Sequence, residues 1–366
     1  MNELLKYRMQ HDLSKFVNAE RPKTYLSREK ARRMPFWKYF VYYSVVYKQK
    51  RVAEITFEKY INAAKWIREI APEIKLKDLD FNRSNVQLLV DSFGKKHRKL
   101  STEDFRGRII TSLRTAQDDG FIDHAVITHI DTNSIEKSWS QEHRIEVFEQ
   151  PKTLDANEYQ KLRMYLDLKI QELSLKDPDH PKNIKNCRIT TYLLISIAAH
   201  TGARYAEILG VTIKDIYDDS IKINKTWDYR THSGGYKPTK NICSMRKVVV
   251  DKTVIKQIKE FWEWKKRYFK ADADKPLWYV DDGIMFNSTL NFRFRDILHE
   301  LGIKKNLTIH KLRHTYISYM LSQGISEMAV AKQAGHANVN MIHRVYGHLL
   351  DDRGEYEKIR MAALLQ

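Results

Sequence analysis

Two arginines, several histidines and two tyrosines fall in four short segments of the C-terminal half, and these residue types suit the binding of an anionic oxygen. The first segment, Thr201-Gly202-Ala203-Arg204-Tyr205-Ala206-Glu207, follows the apolar stretch Tyr192 to Ala199. Gly202 ends that helix, so Arg204 sits at a tight turn between helices, with Glu207 three residues on and on the same side. Alone, an Arg and a Glu at this spacing describe a surface salt bridge. The second segment, His310-Lys311-Leu312-Arg313-His314-Thr315, opens a helix. It sets His310 and Arg313 on one face near the electropositive N-terminal end, where a phosphate is welcome. In the third, Ala334-Gly335-His336, Gly335 stops a short helix and exposes His336 beyond it. The fourth, Val345-Tyr346-Gly347-His348, places Tyr346 ten residues after His336. Singly, each segment is ordinary: a tyrosine with helical neighbours packs in a core, and a histidine after glycine caps a helix.

The elements that must position these segments are mostly helical. Residues 1–35 carry basic residues such as Arg28, Lys30, Arg32 and Arg33 with little apolar periodicity, and read as a basic N-terminal arm. Over 36–127, apolar positions recur three and four apart, as in Phe57, Tyr60, Ile61, Ala64 and Ile67, with Thr56 as the expected N-cap. A further helix is expected to open at Ser101, where Ser101 and Asp104 have capping-box spacing, and to run through Ile109, Ile110 and Leu113. This is an all-α first domain. Just ahead of that helix stand Lys95, Lys96, His97, Arg98 and Lys99, which read either as a phosphate site at a helix N-terminus or as a solvated loop.

Periodicity is lost over 128–150, in residues such as Asp131, Thr132, Asn133 and Ser134, where a linker is expected. A second domain covers 151–350, and a helical tail follows over 351–366. Within the second domain, Ile221 and Ile223 alternate with Lys222 and Asn224, and Arg246 to Val250 is rich in β-branched residues. A hairpin or small sheet, with a long basic loop carrying Lys237 and Lys240, is therefore inserted into helical surroundings. The fold class is mainly α with a small antiparallel β-sheet (α+β).

Composition narrows the partner. In 366 residues, 64 Lys and Arg against 46 Asp and Glu give a net charge of +18, which favours a polyanion through phosphate contacts and counterion release. Two cysteines, Cys187 and Cys243, exclude a disulfide framework and zinc ribbons and suit a reducing compartment. No apolar run approaches the roughly 20 residues of a membrane span, and Met1 to Lys15 carries charges where a signal peptide is apolar. A cytoplasmic protein with no membrane partner is expected. His310, His314, His336, His343 and His348 form no His-Glu-x-x-His pattern, so no metal is expected either.

The order of the four segments is distinctive. Arg204, then His310-x-x-Arg313, then Gly335-His336, then Tyr346 resembles the tyrosine recombinases, the integrases of phages and mobile elements, over roughly residues 150 to 350. The first domain is similar in pattern to that family's helical core-binding domain. The resemblance implies a metal- and ATP-independent enzyme, without cofactors, that cuts and rejoins double-stranded DNA. Tyr346 would be the nucleophile that forms a 3′-phosphotyrosine, its phenol having a pKa of about 10 when unperturbed. Arg204 and Arg313 would hold the non-bridging oxygens, His310 and His336 would add hydrogen bonds and help move a proton, and Glu207 would orient the site. The family also uses a hairpin lysine as acid for the leaving 5′-oxygen. Pro238-Thr239-Lys240 followed by Ser244-x-Arg246 resembles that segment, which selects Lys240, with Lys237 three residues away as the substitute.

Lys95, Lys96, Arg98, Lys99 and Lys237 are the expected further DNA contacts. Tails like 351–366 often pack into a neighbouring subunit in this family, which implies a homotetramer on synapsed sites with room for accessory DNA-bending proteins, while a helix that caps its own domain is an equal reading of the tail. Residues 1–35 read as neither strands nor a hairpin, so the arm-site domain of many phage members is not expected. Two other readings use the same residues: a type IB topoisomerase that relaxes supercoils alone, and a DNA-binding module that kept the fold and lost catalysis.

Overall fold

The computed structural model describes residues 26–149, 153–174, 188–229, 234–239, 242–269, 271–278, 286–336, 338–340, 342–343 and 362–363. The chain divides into two compact units, residues 1–149 and 150–366.

The first unit is helical: α1 (Arg28–Arg33), α2 (Phe36–Tyr43), α3 (Glu54–Ile70), α4 (Arg83–Gly94), α5 (Lys99–Asp118) and α6 (Gln141–Glu149). Helix α2 is its wedge, with Phe36, Tyr39, Phe40 and Tyr43 fully buried, and the Tyr39 hydroxyl donates to the Ser112 carbonyl on α5 at 3.2 Å. Burial of such rings dominates core energetics, and the buried hydroxyl needs the partner it finds. Two helix starts differ from the sequence expectation. Helix α3 begins at Glu54 with Ala53, not Thr56, as N-cap, because the Ala53 carbonyl already accepts from Thr56 and Phe57. Helix α5 begins at Lys99, not Ser101: its first amide donates to the Glu136 carboxylate at 2.7 Å, while Asp104 pairs with Arg108 at 2.9 Å instead of capping. A carboxylate from a distant stretch does the capping that a local residue was expected to do.

The expected arm and linker are also partly built into this unit. Ala31 is buried, Arg32 pairs with Asp80 at 2.8 Å, and Arg28 pairs with Asp123 at 2.5 Å. Between 128 and 149, the Ile130 carbonyl accepts from Arg106 at 2.7 Å, the Asp131 amide donates to Gln87 at 2.8 Å, and Asn133 donates to Asp91 at 2.8 Å. Irregular chain held by such individual hydrogen bonds carries no periodicity to read. Residues 1–25 of the arm lie outside the described residues.

The second unit holds α7 (Ala156–Ser174), α8 (Arg188–Thr201), α9 (Tyr205–Leu209), β1 (Ser220–Ile223), β2 (Lys225–Trp227), β3 (Tyr236–Pro238), β4 (Arg246–Val249), α10 (Lys252–Tyr268), α11 (Asn287–Glu300), α12 (Ile309–Ser322) and α13 (Glu327–Ala334). Helix α8 is apolar on nearly every side and buried from Ile189 onward except at Tyr192, so it forms the axis on which α7 and α12 pack. In place of one sheet there are two antiparallel ladders. Strands β1 and β4 pair from Ser220↔Val249 to Ile223↔Arg246, and β2 and β3 from Lys225↔Pro238 to Trp227↔Tyr236, with Asn224 between them.

Helix α9 is pinned from below. The buried Trp278 indole donates to the Ile208 carbonyl at 3.0 Å, and the Leu277 amide donates to Val211 at 2.8 Å. The buried Lys265 amine donates to the Leu277 carbonyl at 2.9 Å, and burial lowers its pKa to about 8. Among the described residues no helix is long and apolar enough to cross a membrane.

Candidate functional site

The turn between α8 and α9 is set by Gly202. Its φ is +60°, and a Cβ there would meet the Tyr316 ring at 2.6 Å, so no larger residue fits this approach. Two residues later Arg204 caps α9, and Glu207 binds it twice: Oε2 accepts from the Arg204 amide at 3.0 Å and Oε1 from Nη1 at 2.7 Å. This is no surface pair, since the Glu207 side chain is 2% exposed. Its second cation is Arg246 at the start of β4, whose Nη2 donates to Oε2 at 3.1 Å and whose side chain is 4% exposed. Burial pushes the Glu207 carboxyl up, but Arg246, the Arg204 amide and the Arg204 guanidinium outweigh it and hold the pKa below the usual range. Breaking a buried pair of this kind typically costs about 3–5 kcal/mol.

Helix α12 brings the second arginine to the same turn. Arg313 is buried, and its Nη1 donates to the Gly202 carbonyl at 2.9 Å. His310, one turn earlier, sits with its ring 5.4 Å from that of His314. Helix α13 ends at Gly335 in the left-handed conformation, and His336 follows with its amide donating to Ala331 at 2.9 Å. His336 is not exposed as the glycine stop suggested. It is half-buried, and its Nδ1 is buried with no hydrogen-bond partner among the described residues.

Arg313 reaches the Gly202 carbonyl and Arg246 joins Glu207 to the Gln333 carbonyl, so these segments converge and their charges act on the two imidazoles. Burial, then the charges of Arg313, Arg204, Arg246 and His314, lower the His336 pKa to about 4. Burial, then Arg313, Arg204 and Lys311, lower that of His310. The same two guanidinium groups act on both imidazoles, which are therefore neutral near pH 7. Two guanidinium forks and two neutral imidazoles in partly dry surroundings can hold a tetrahedral oxyanion and accept a proton.

The shift has a consequence for stability. The unfolded chain, with a histidine pKa of 6.5, binds this proton more readily than the fold does, so the contribution is complete above pH 6.5 and is lost as the pH falls toward about 4. The melting temperature is expected to fall through that window, and His336→Gln to flatten part of the fall. An unchanged slope in the variant would show that His336 is not its source.

The remaining expected residues are placed less centrally or fall outside. Tyr346 and Lys240 lie outside the described residues, as does the tail 351–366 apart from residues 362 and 363. Lys237, on β3, pairs with Asp228 at 2.7 Å. In the basic cluster, Lys96 lies near Glu69 at 3.5 Å, Arg98 covers the Trp139 ring at 5.3 Å, and His97 stacks on Phe93 at 3.7 Å. Glu136 takes the first amide of α5, which one of the two readings of this cluster left for a phosphate. Lys95 and Lys99 are exposed.

Arg246 was missed as a site residue, although a signal existed. The strand's alternation puts it on the buried side with Val248 and Val250, where a charge calls for a partner. Among the described residues no group of three His, Cys, Asp or Glu side chains could hold a metal, and His343 pairs with Glu327 at 2.8 Å.

Residues 173–353 match the model of the phage integrase family. Over those residues, about half of its length, the chain is similar to that family. It is 27% identical over 218 residues to an integrase of Staphylococcus phage L54a, a match covering 55% of this chain and 60% of that one. It is 24% identical over 307 residues to a tyrosine recombinase of Pseudothermotoga lettingae, covering 82% and 90%. The chain thus spans under two thirds of the first relative and most of the second. Among solved structures, the Tn1549 transposon integrase in complex with circular intermediate DNA has a TM-score of 0.65 at 15% identity, covering 90% of this chain and all of that one. A lambda integrase dimer bound to a core site has a TM-score of 0.55 at 15% identity, covering 84% and 97%. At these identities the likeness is one of fold, and it establishes the helical architecture with small antiparallel ladders as the family's own.

Proposed function

We propose that this chain is a site-specific DNA recombinase, an integrase that cleaves and rejoins duplex DNA through Tyr346 and mediates integration or excision of a mobile element. The observation that carries this reading is that separate segments meet around one turn: Arg313, one turn after His310, donates to the Gly202 carbonyl at 2.9 Å, and Arg246 joins Glu207, which holds Arg204, to the Gln333 carbonyl three residues before His336. In the proposed reaction the Tyr346 phenol oxygen attacks the scissile phosphorus, a bond to that oxygen forms, and the bond to the 5′-oxygen breaks. His310 or His336 helps carry the phenol proton away, and Lys240, or Lys237 in its place, protonates the leaving oxygen. The two guanidinium groups stabilise the charge gathering on the non-bridging oxygens, while Glu207 orients Arg204. The energy of the phosphodiester is kept in the 3′-phosphotyrosine, so resealing needs neither ATP nor a metal.

The partner is double-stranded DNA, as in the Tn1549 and lambda integrase structures, which contain it. The first unit would act as the helical clamp, with Lys95, Lys96, Arg98 and Lys99 touching the backbone in the cytoplasm. Assembly as a homotetramer on two synapsed sites, with accessory DNA-bending proteins, belongs to the same proposal. Exposed Val249, Ile325 and Met328 offer apolar surface for such subunit contacts.

The test uses a plasmid carrying two copies of the DNA that flanks this gene in its source. Exchange between the copies supports the proposal, whereas relaxation of supercoils with no exchange would make the chain a topoisomerase. Binding is expected to weaken steeply with salt, by about 10³-fold or more between 50 and 200 mM if six or more phosphates are neutralised. A flat response in a filter-binding titration would separate the charge of +18 from DNA recognition.

A further inference from the structure

Arg246 touches neither imidazole by a hydrogen bond, yet it joins the two halves of the site. Its Nη2 holds Glu207 Oε2 at 3.1 Å, and Glu207 in turn holds Arg204 at its amide and its guanidinium. Its Nε donates to the Gln333 carbonyl at 2.7 Å and its Nη1 to Ser244 at 2.8 Å, so one planar fork spans β4, the Arg204 turn and the last turn of α13. Gly335 makes room for it: a Cβ there would lie 2.6 Å from Nη1. The Gln333 side chain completes the clasp, donating to the Val249 carbonyl at 2.9 Å and accepting from the Val249 amide at 3.3 Å. The residue that carries this clasp onward is His336, next after Gly335.

A structural arginine in a core needs only its charge matched. This one meets three acceptors from three separate segments, two of which lead directly to Arg204 and His336. Lysine could keep the charge but not the three-way geometry, because its ammonium is a point charge on a flexible stem.

We infer that Arg246 is a positioning residue for strand cleavage, setting Arg204 through Glu207 and His336 through the end of α13 so that both face one phosphate. The inference rests on the proposed recombinase function.

The experiment compares the wild-type protein, Arg246→Lys and the doubly neutral Arg246→Met with Glu207→Gln, the last as a folded alternative should loss of the fork alone unfold the chain. Each is measured for thermal melting, DNA affinity and single-turnover cleavage on two nicked suicide duplexes. One duplex has the ordinary scissile phosphate and the other a methylphosphonate, which has one anionic oxygen fewer for Arg204 to neutralise. For Arg246→Lys the expected result is unchanged affinity, cleavage of the phosphate duplex slowed at least about 10-fold, and a smaller factor on the methylphosphonate. The double variant should show the same narrowing. Slowing by an equal factor on both duplexes would mean a general fold defect, and wild-type rates in Arg246→Lys would mean that Arg246 aims nothing; either overturns the inference while leaving the recombinase reading intact. No covalent adduct from the wild type on the phosphate duplex would overturn both.

Discussion

Tyr346→Phe is expected to bind the suicide duplex as the wild type does and to yield no covalent protein–DNA adduct on a denaturing gel. The phenol oxygen is the atom that would bond to phosphorus, and phenylalanine keeps the ring while deleting that atom, so the loss should be complete rather than partial. Packing is little disturbed, because the change removes one oxygen and adds no volume. An adduct that persists in the variant would take Tyr346 out of the reaction and send the search to another nucleophile. Affinity lost together with the adduct would mean that the hydroxyl serves binding. The nick matters to the design, because the freed 5′ fragment diffuses away and the covalent state accumulates instead of being resealed.

Arg313→Ala and Arg204→Ala are expected to keep most DNA affinity and to lose cleavage by at least about 100-fold each, the scale of deleting one strong charge-stabilising donor. Many phosphates contribute to binding, so one guanidinium is a small share of it, whereas charge accumulating at a single phosphorus depends on the few donors around it. The two variants should differ in stability. Arg313 is buried and ties α12 to the Gly202 carbonyl, while the Arg204 side chain is 31% exposed. Arg313→Ala should therefore melt lower, with Arg204→Ala limited by the loss of one partner of buried Glu207. Equal losses of affinity and cleavage in both would argue against a role confined to the transition state.

Much of this site was legible because its residues sit at local punctuation. Gly202 and Gly335 announce helix ends, and Arg204, His310 and Arg313 stand at fixed offsets from helix termini, so type and spacing alone marked them. Helix starts were less legible where the cap came from far away. No rule of local spacing assigns Glu136 to the first amide of Lys99, 37 residues earlier, which is why α5 begins before Ser101. Parts of the linker expected over 128–150 and of the arm expected over 1–35 are bonded into the first unit for a related reason: hydrogen bonds to Gln87, Asp91, Asp80 and Asp123 leave no periodic trace.

By itself the sequence determined the resemblance to the family, the mainly helical architecture and which residue types could meet a phosphate, since each depends on order, periodicity or chemistry carried within short stretches. Only the tertiary structure decided that Glu207 is buried between two guanidinium groups, that His336 is half-buried and neutral, and that Arg246 belongs to the site. Burial and charge proximity arise from segments more than 100 residues apart, as between Arg204 and Arg313, and no one-dimensional pattern encodes how much water is left between them.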